Sequence, residues 1–196
     1  MKINWSRLVA ALAVSVSTFG VVNIPGQAVQ LSDGTVAFTG APRLEGASAS
    51  QSAAYFWGSW YSFTITLPEN AGEPLQKVAI SQEDNVSYAH FDLRKTEAYE
   101  GTRRRSGRRL PIQDVTLDPN KRLITVLFDP PVSPGKTITI ELYADRNPYA
   151  GGVYLYGVTA FPAGEKARGQ FLGFGRIHIY DSYDTIFFRG PFRRWH

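Results

Sequence analysis

The chain has no cysteine, one methionine at its first position, and three histidines in 196 residues. Without thiols there can be no disulfide, no Cys nucleophile, no thiolate metal site and no lipid-carrying lipoprotein cysteine. Beyond Met1 the chain offers no sulfur to oxidation. His90, His178 and His196 lie too far apart in sequence to suggest zinc, whose ligands usually include close neighbours. No metal and no cofactor is therefore expected. An apolar run of roughly 20 residues that would span a bilayer is also missing. No segment of about 12 residues repeats its apolar positions with a clean helical period. The nearest is 83–99, which could hold a helical turn or two.

What the sequence does have, at its start, is the pattern of a secretory leader. Lys2 and Arg7 are basic with no acidic residue near them, an apolar run covers 8–22, and Pro25 precedes Gly26-Gln27-Ala28. Small residues at those positions mark a cleavage site, so residues 1–28 are expected to be a signal peptide cut between Ala28 and Val29. The apolar run is about 15 residues, too short to anchor, so no transmembrane span is expected after processing. The expected location is periplasmic or secreted. The leader holds two of the 21 basic residues and none of the 17 acidic ones. The remainder is thus nearly balanced in charge, and whole-chain charge gives no ground for a nucleic-acid partner. Residues 29–183 are long enough to bury a core without staples. Residues 184–196 read as an aromatic and basic C-terminal tail.

Alternation with period two dominates the rest. Tyr61, Phe63, Ile65 and Leu67 share one face, with Ser62, Thr64 and Thr66 on the other. Ile138, Ile140 and Leu142 alternate with polar residues, as do Ile177 and Ile179, and 153–161 is rich in aromatic and aliphatic residues. The unbroken apolar stretch 123–128 suggests a strand covered on both faces. Residues 75–80 and 112–117 are weaker strand candidates. Turn chemistry separates the runs at 68–72, 118–120, 130–135, 147–148 and 162–164. The small, Ser-rich 46–54 reads as a surface loop. The expected fold is all-β, an antiparallel β-sandwich, immunoglobulin-like in layout, with about seven strands.

Several segments together resemble a known family. They are Leu31-Ser32-Asp33-Gly34-Thr35-Val36, Leu67-Pro68-Glu69, Phe128-Asp129-Pro130-Pro131, Asn147-Pro148, Val153-Tyr154-Leu155-Tyr156-Gly157 and Leu172-Gly173-Phe174-Gly175-Arg176. In this order, over roughly 31–181, they look like an uncharacterised family of exported cyanobacterial proteins, a domain of unknown function (DUF 2808). The resemblance implies an exported cyanobacterial protein and a β-rich fold. It transfers no catalytic or ligand-binding residue. The arginine run at 103–109 and the tail after Tyr183 stand outside the pattern.

Chemistry-bearing constellations are sparse. No Gly-x-Ser-x-Gly elbow occurs, and a Ser/His/Asp triad drawn from Asp92, Asp181 or Asp184 with His90 or His178 is inventory without geometry. Glu83, Asp84, Glu97 and Glu100 could supply a carboxylate pair, but such residues usually form a solvated face. Asp181 and Asp184 are the only close acidic pair near a strand end, short of a calcium site. Gly173-Phe174-Gly175-Arg176 lacks a following helix, so a strand bend or bulge is the better reading. Trp57-Gly58-Ser59-Trp60-Tyr61 is an aromatic cluster for which core packing is the commoner fate.

The sharpest anomaly is Arg103, Arg104, Arg105, Arg108 and Arg109 within seven residues. Mutual repulsion predicts a mobile exposed loop. Its functional reading is contact with an anionic surface such as lipid headgroups or acidic polysaccharide. The sequence thus points to an exported non-enzymatic β-sandwich of the cell envelope or extracellular space, a binding or structural module. The alternative is a periplasmic hydrolase acting on envelope polymers.

Overall fold

The computed structural model describes residues 29–30 and 34–181. The leader 1–28 with Ala28 of its cleavage site, Asp184 and the tail 184–196 lie outside the described residues. The strands run β1 (Val29–Gln30), β2 (Val36–Ala37), β3 (Arg43–Ala49), β4 (Trp57–Leu67), β5 (Leu75–Gln82) and β6 (His90–Thr102). They continue as β7 (Arg105–Arg109), β8 (Ile112–Asp118), β9 (Leu123–Val132), β10 (Lys136–Arg146), β11 (Gly152–Pro162) and β12 (Gln170–Ile179). β1 and β2 form a short ribbon. The others build two five-stranded sheets, ordered β3-β4-β10-β6-β7 and β12-β11-β5-β9-β8, antiparallel throughout. The all-β sandwich is as expected, but with ten strands in its sheets in place of about seven.

The alternation read from the sequence sets which face each strand buries. Tyr61, Phe63, Ile65 and Leu67 of β4 and Ile138, Ile140, Leu142 and Ala144 of β10 point inward from one sheet. Val78, Ile80, Val126, Phe128, Tyr156 and Val158 answer from the other, on its three central strands. Burying one such aliphatic or aromatic side chain contributes about 1.5–3 kcal/mol, so these rows dominate the stability. The outward faces of β4 and β10 are tied by polar pairs, Thr64 with Thr139 and Thr66 with Thr137, each 3.0 Å between hydroxyl oxygens.

Four readings are corrected. Segment 83–99 contains no helical turn: from His90 it is the start of a 13-residue strand, because β6 pairs with β10 at both ends of its length, around a bulge. Segment 46–54 is not a loop in its first half, since β3 pairs with β4 there. Small side chains suit it to an edge. Segment 123–128 is not covered on both faces: Ile124, Val126 and Phe128 are buried, and Leu123, Thr125 and Leu127 only half-buried. The arginine run is a β-hairpin rather than a loop, with a turn at Arg103 and Arg104 and β7 paired to β6.

Within each sheet the sequence-adjacent neighbours are hairpins, β3–β4 and β6–β7 in one and β8–β9 and β11–β12 in the other. Every other connection from β4 onward crosses between sheets. β6 therefore runs the length of the sandwich, about 40 Å at the usual rise per residue, from His90 at one end to the arginine turn at the other.

Candidate functional site

The arginine hairpin sits at one end of this long strand. Gly101 allows it to close: its φ is +93°, and a Cβ there would collide with the Arg105 carbonyl. β7 is an edge strand with all five of its residues exposed. A charged edge resists pairing with another sheet. Arg108 reaches Glu100 at 2.9 Å and Arg109 reaches Glu97 at 3.1 Å. Lys136 joins Glu100 at 2.6 Å. The Lys136 ammonium, then the Arg108 guanidinium, hold the Glu100 carboxyl below its ordinary value. Beneath the hairpin, burial and then the Glu141 carboxylate push the Tyr99 phenol up to about 12. Arg103 donates to the Ala49 carbonyl at 3.4 Å. Arg103, Arg104 and Arg105 make no ion pair among the described residues.

The structure scatters the other sequence candidates. Of the four carboxylates, Glu97 and Glu100 serve the hairpin, Asp84 pairs with Arg122 at the far end, and Glu83 is exposed. His178 is exposed on β12, its ring stacked 6.5 Å from Tyr180. Among the described residues no three His, Cys, Asp or Glu side chains gather where they could hold a metal ion. Gly173 does mark a bulge, with φ +116° where the β11–β12 register slips. The aromatic cluster splits: Tyr61 is core, Trp60 packs edge-on to Tyr143 at 4.9 Å, and Trp57 is 71% exposed beneath Arg146.

At the other end of β6 the sheets part around a cleft of about 570 Å³. Its floor is Ile80, Ile124, Ala89 and Tyr156, all buried, and Phe91 and Tyr88 form walls. His90 and Asp145 stand exposed at its mouth. Lys95 lies 3.9 Å from Asp145. Arg122 lines the cleft but is committed three ways, to Asp84, to the Gln82 carbonyl and to the face of Tyr88.

Sequence reasoning missed this end because its parts come from six different strands and two connecting segments. The available signal was tyrosine at inward strand positions, which brings a hydroxyl that must find a partner. Tyr61 donates to Asn147 Oδ1 at 3.0 Å, and Asn147 donates to the Gln51 and Ala53 carbonyls at 2.9 Å each. Tyr154 donates to the Ala150 carbonyl at 2.7 Å and bonds Ser87. Among the described residues the Tyr156 hydroxyl has no partner, nor does Gln82 Nε2, although both are buried. Burial, and then Tyr61 and Tyr154, push the Tyr156 phenol far above its ordinary value, so it stays neutral.

A family model described as "Protein of unknown function (DUF2808)" matches residues 35–179. No curated protein matches the chain. Among solved structures, it is similar to a major pilin fragment of Streptococcus agalactiae at 11% identity and a TM-score of 0.44, covering 71% of this chain and 56% of that one. An uncharacterised immunoglobulin-like protein from Nocardia farcinica aligns at 14% identity and 0.40, covering 70% and 97%. A collagen-binding domain from a Staphylococcus aureus adhesin aligns at 11% and 0.36, covering 62% and 88%. Likeness at this level says nothing of function. No helix among the described residues is long and apolar enough to cross a membrane.

Proposed function

The chain belongs to the DUF2808 family, and within it we propose an exported cyanobacterial protein of the cell envelope or extracellular space, a non-enzymatic module that binds an anionic surface through its arginine hairpin. The observation that carries this reading is the division of labour among the five arginines. Arg108 and Arg109 are held by Glu100 and Glu97, while Arg103 and Arg104 in the turn and Arg105 beside it have no carboxylate partner among the described residues. A β-ladder holding guanidiniums that leave most of their donors free at the tip of a sandwich suits phosphate or carboxylate groups repeated on a lipid or polysaccharide surface. Nothing in the hairpin distinguishes one sugar or headgroup from another, so the binding is by charge. The non-enzymatic reading is supported by the ion pairs of Asp84, Glu97 and Glu100, which take these carboxylates away from acid–base work.

Export is tested by intact mass of the protein from its native host. A mature N-terminus at Val29 is expected, and a retained species starting at Met1 would refute it. Binding is tested by co-sedimentation with anionic liposomes or acidic polysaccharide across a salt series. Wild type is compared with the variant carrying Arg103→Ser, Arg104→Ser, Arg105→Ser, Arg108→Ser and Arg109→Ser. Binding should fall steeply as salt shortens the screening length toward about 10 Å at 0.1 M. Equal binding by both proteins at low salt would overturn the proposal.

A further inference from the structure

We infer that the cleft at the start of β6 is a binding site for a small uncharged cyclic molecule that presents a hydrogen-bond-accepting oxygen to its floor. The size is that of a small-molecule pocket, about 570 Å³ against a usual range of roughly 300–1,000 Å³. Ile80, Ile124 and Ala89 offer the floor no polar side-chain atom, and Phe91 and Tyr88 add aromatic walls, which suits an apolar ring.

The second observation is polar. Buried polar groups nearly always find partners, and elsewhere in this core Tyr61, Tyr154, Asn147 and Thr139 have theirs. Of the three buried side-chain atoms without one among the described residues, two belong to cleft residues, Tyr156 Oη and Gln82 Nε2. The third, Thr96 Oγ1, belongs to a residue beside a hollow of about 160 Å³ elsewhere. Gln82 Nε2 can only donate, and the Tyr156 hydroxyl can donate, so a ligand oxygen that accepts satisfies them. Leaving such groups unmatched is costly, and a site of this kind favours the molecule that matches them.

Charge argues for a neutral ligand. The floor carries no charged side chain, Arg122 of the wall is already engaged by Asp84 and Tyr88, and Asp145 at the mouth faces Lys95 at 3.9 Å. An ion driven into this floor would lose its hydration without gaining a counter-charge. The inference is independent of the arginine hairpin, which lies at the opposite end of β6.

The test is calorimetric titration of the full chain with three probes of similar shape: benzophenone, which has a carbonyl, diphenylmethane, which has none, and diphenylacetate, which is charged. Benzophenone should bind saturably and about tenfold or more tighter than either comparator, the worth of one buried hydrogen bond. Tyr156→Phe, which keeps the ring, and Gln82→Leu should each weaken benzophenone by about tenfold and leave diphenylmethane unchanged. Tyr156→Phe should also raise the thermal midpoint, because it removes a buried hydroxyl that no described residue bonds. The five-arginine variant should bind benzophenone as wild type does. Equal affinity for ketone and hydrocarbon would reduce the cleft to a greasy hole and overturn the inference. Absence of saturable binding, with the cleft holding water only, would overturn it equally.

Discussion

The two ends of β6 solve opposite problems with the same ladder. The hairpin end gathers five cations within seven residues, exposed, two of them paired with carboxylates of the neighbouring strand. The cleft end gathers aromatic rings from distant parts of the chain, buried and joined by neutral hydrogen bonds. Tyr61 meets Phe91 at 5.4 Å and Tyr156 at 5.8 Å between ring centres, and Tyr156 meets Phe63 at 5.5 Å, all edge-on. Exposed charge contributes little to stability and much to encounter, whereas a buried network contributes heavily to stability and specificity. The ends should therefore respond very differently to substitution.

The largest effect is expected at the cleft end, from Asn147→Ala. It removes three hydrogen bonds at once and strands the buried Tyr61 hydroxyl, while the Gln51 and Ala53 carbonyls keep only the Ser59 hydroxyl and the Phe56 N–H as donors. The expected loss is about 2–4 kcal/mol in urea unfolding. A loss under about 1 kcal/mol would mean that water replaces the side chain and that the network is not structural.

Next come two identical chemical changes with opposite signs. Tyr61→Phe leaves Asn147 Oδ1 without its donor and should cost about 1–2 kcal/mol, while Tyr156→Phe should stabilise by up to about 1 kcal/mol. The two midpoints, measured in one denaturant series, should fall on opposite sides of wild type. If both variants are destabilised, Tyr156 has a partner and the contrast within the cleft end disappears.

At the hairpin end, changing all five arginines to serine should shift stability by less than about 1 kcal/mol, since exposed pairs are each worth roughly 0–1. The expected change is in association. Gel filtration should show self-association of the variant as β7 loses its charged guard. A stability loss comparable to that of Asn147→Ala would erase the distinction between the ends.

The smallest effect is a titration. Glu100 is held below its ordinary value, so its contribution is present above the usual carboxylate range and is lost as the pH falls through its folded-state value. By NMR, Lys136→Met should raise the Glu100 midpoint more than Arg108→Ser does, because Lys136 is the larger cause. The reverse order would make the arginine the principal partner.

How much of this was legible follows the same division. Alternation at Tyr61, Phe63, Ile65 and Leu67, or at Ile177 and Ile179, reports a local property of one strand, and the structure places each inward as read. The five arginines announced themselves, though repulsion alone suggested a loop. Glu97 and Glu100 sit across the ladder and offset enough charge for a hairpin to form. Read from sequence they form a solvated face, because pairing between strands is not written in either strand alone. His90 to Thr102 lacked alternation clear enough to name a strand; its partner β10 decides the matter. The cleft was beyond reach, because Ile80, Gln82, Phe91, Ile124 and Tyr156 become neighbours only once two sheets have closed.

The order of hairpins and crossings also sets how this chain must fold. β3–β4, β6–β7, β8–β9 and β11–β12 are each closed by nearby residues, so four hairpins can form early and independently. The centre of each sheet cannot. β4 must find β10, and the Thr64–Thr139 pair joins residues 75 apart in sequence; β5 must likewise find β11. The entropy of closing such loops is met before their contacts form, which places folding among the slow all-β domains, in milliseconds to seconds. Until those central pairs form, the hairpins would expose unpaired inner edges, and the cleft, which needs both sheets, would be the last part of the molecule to exist.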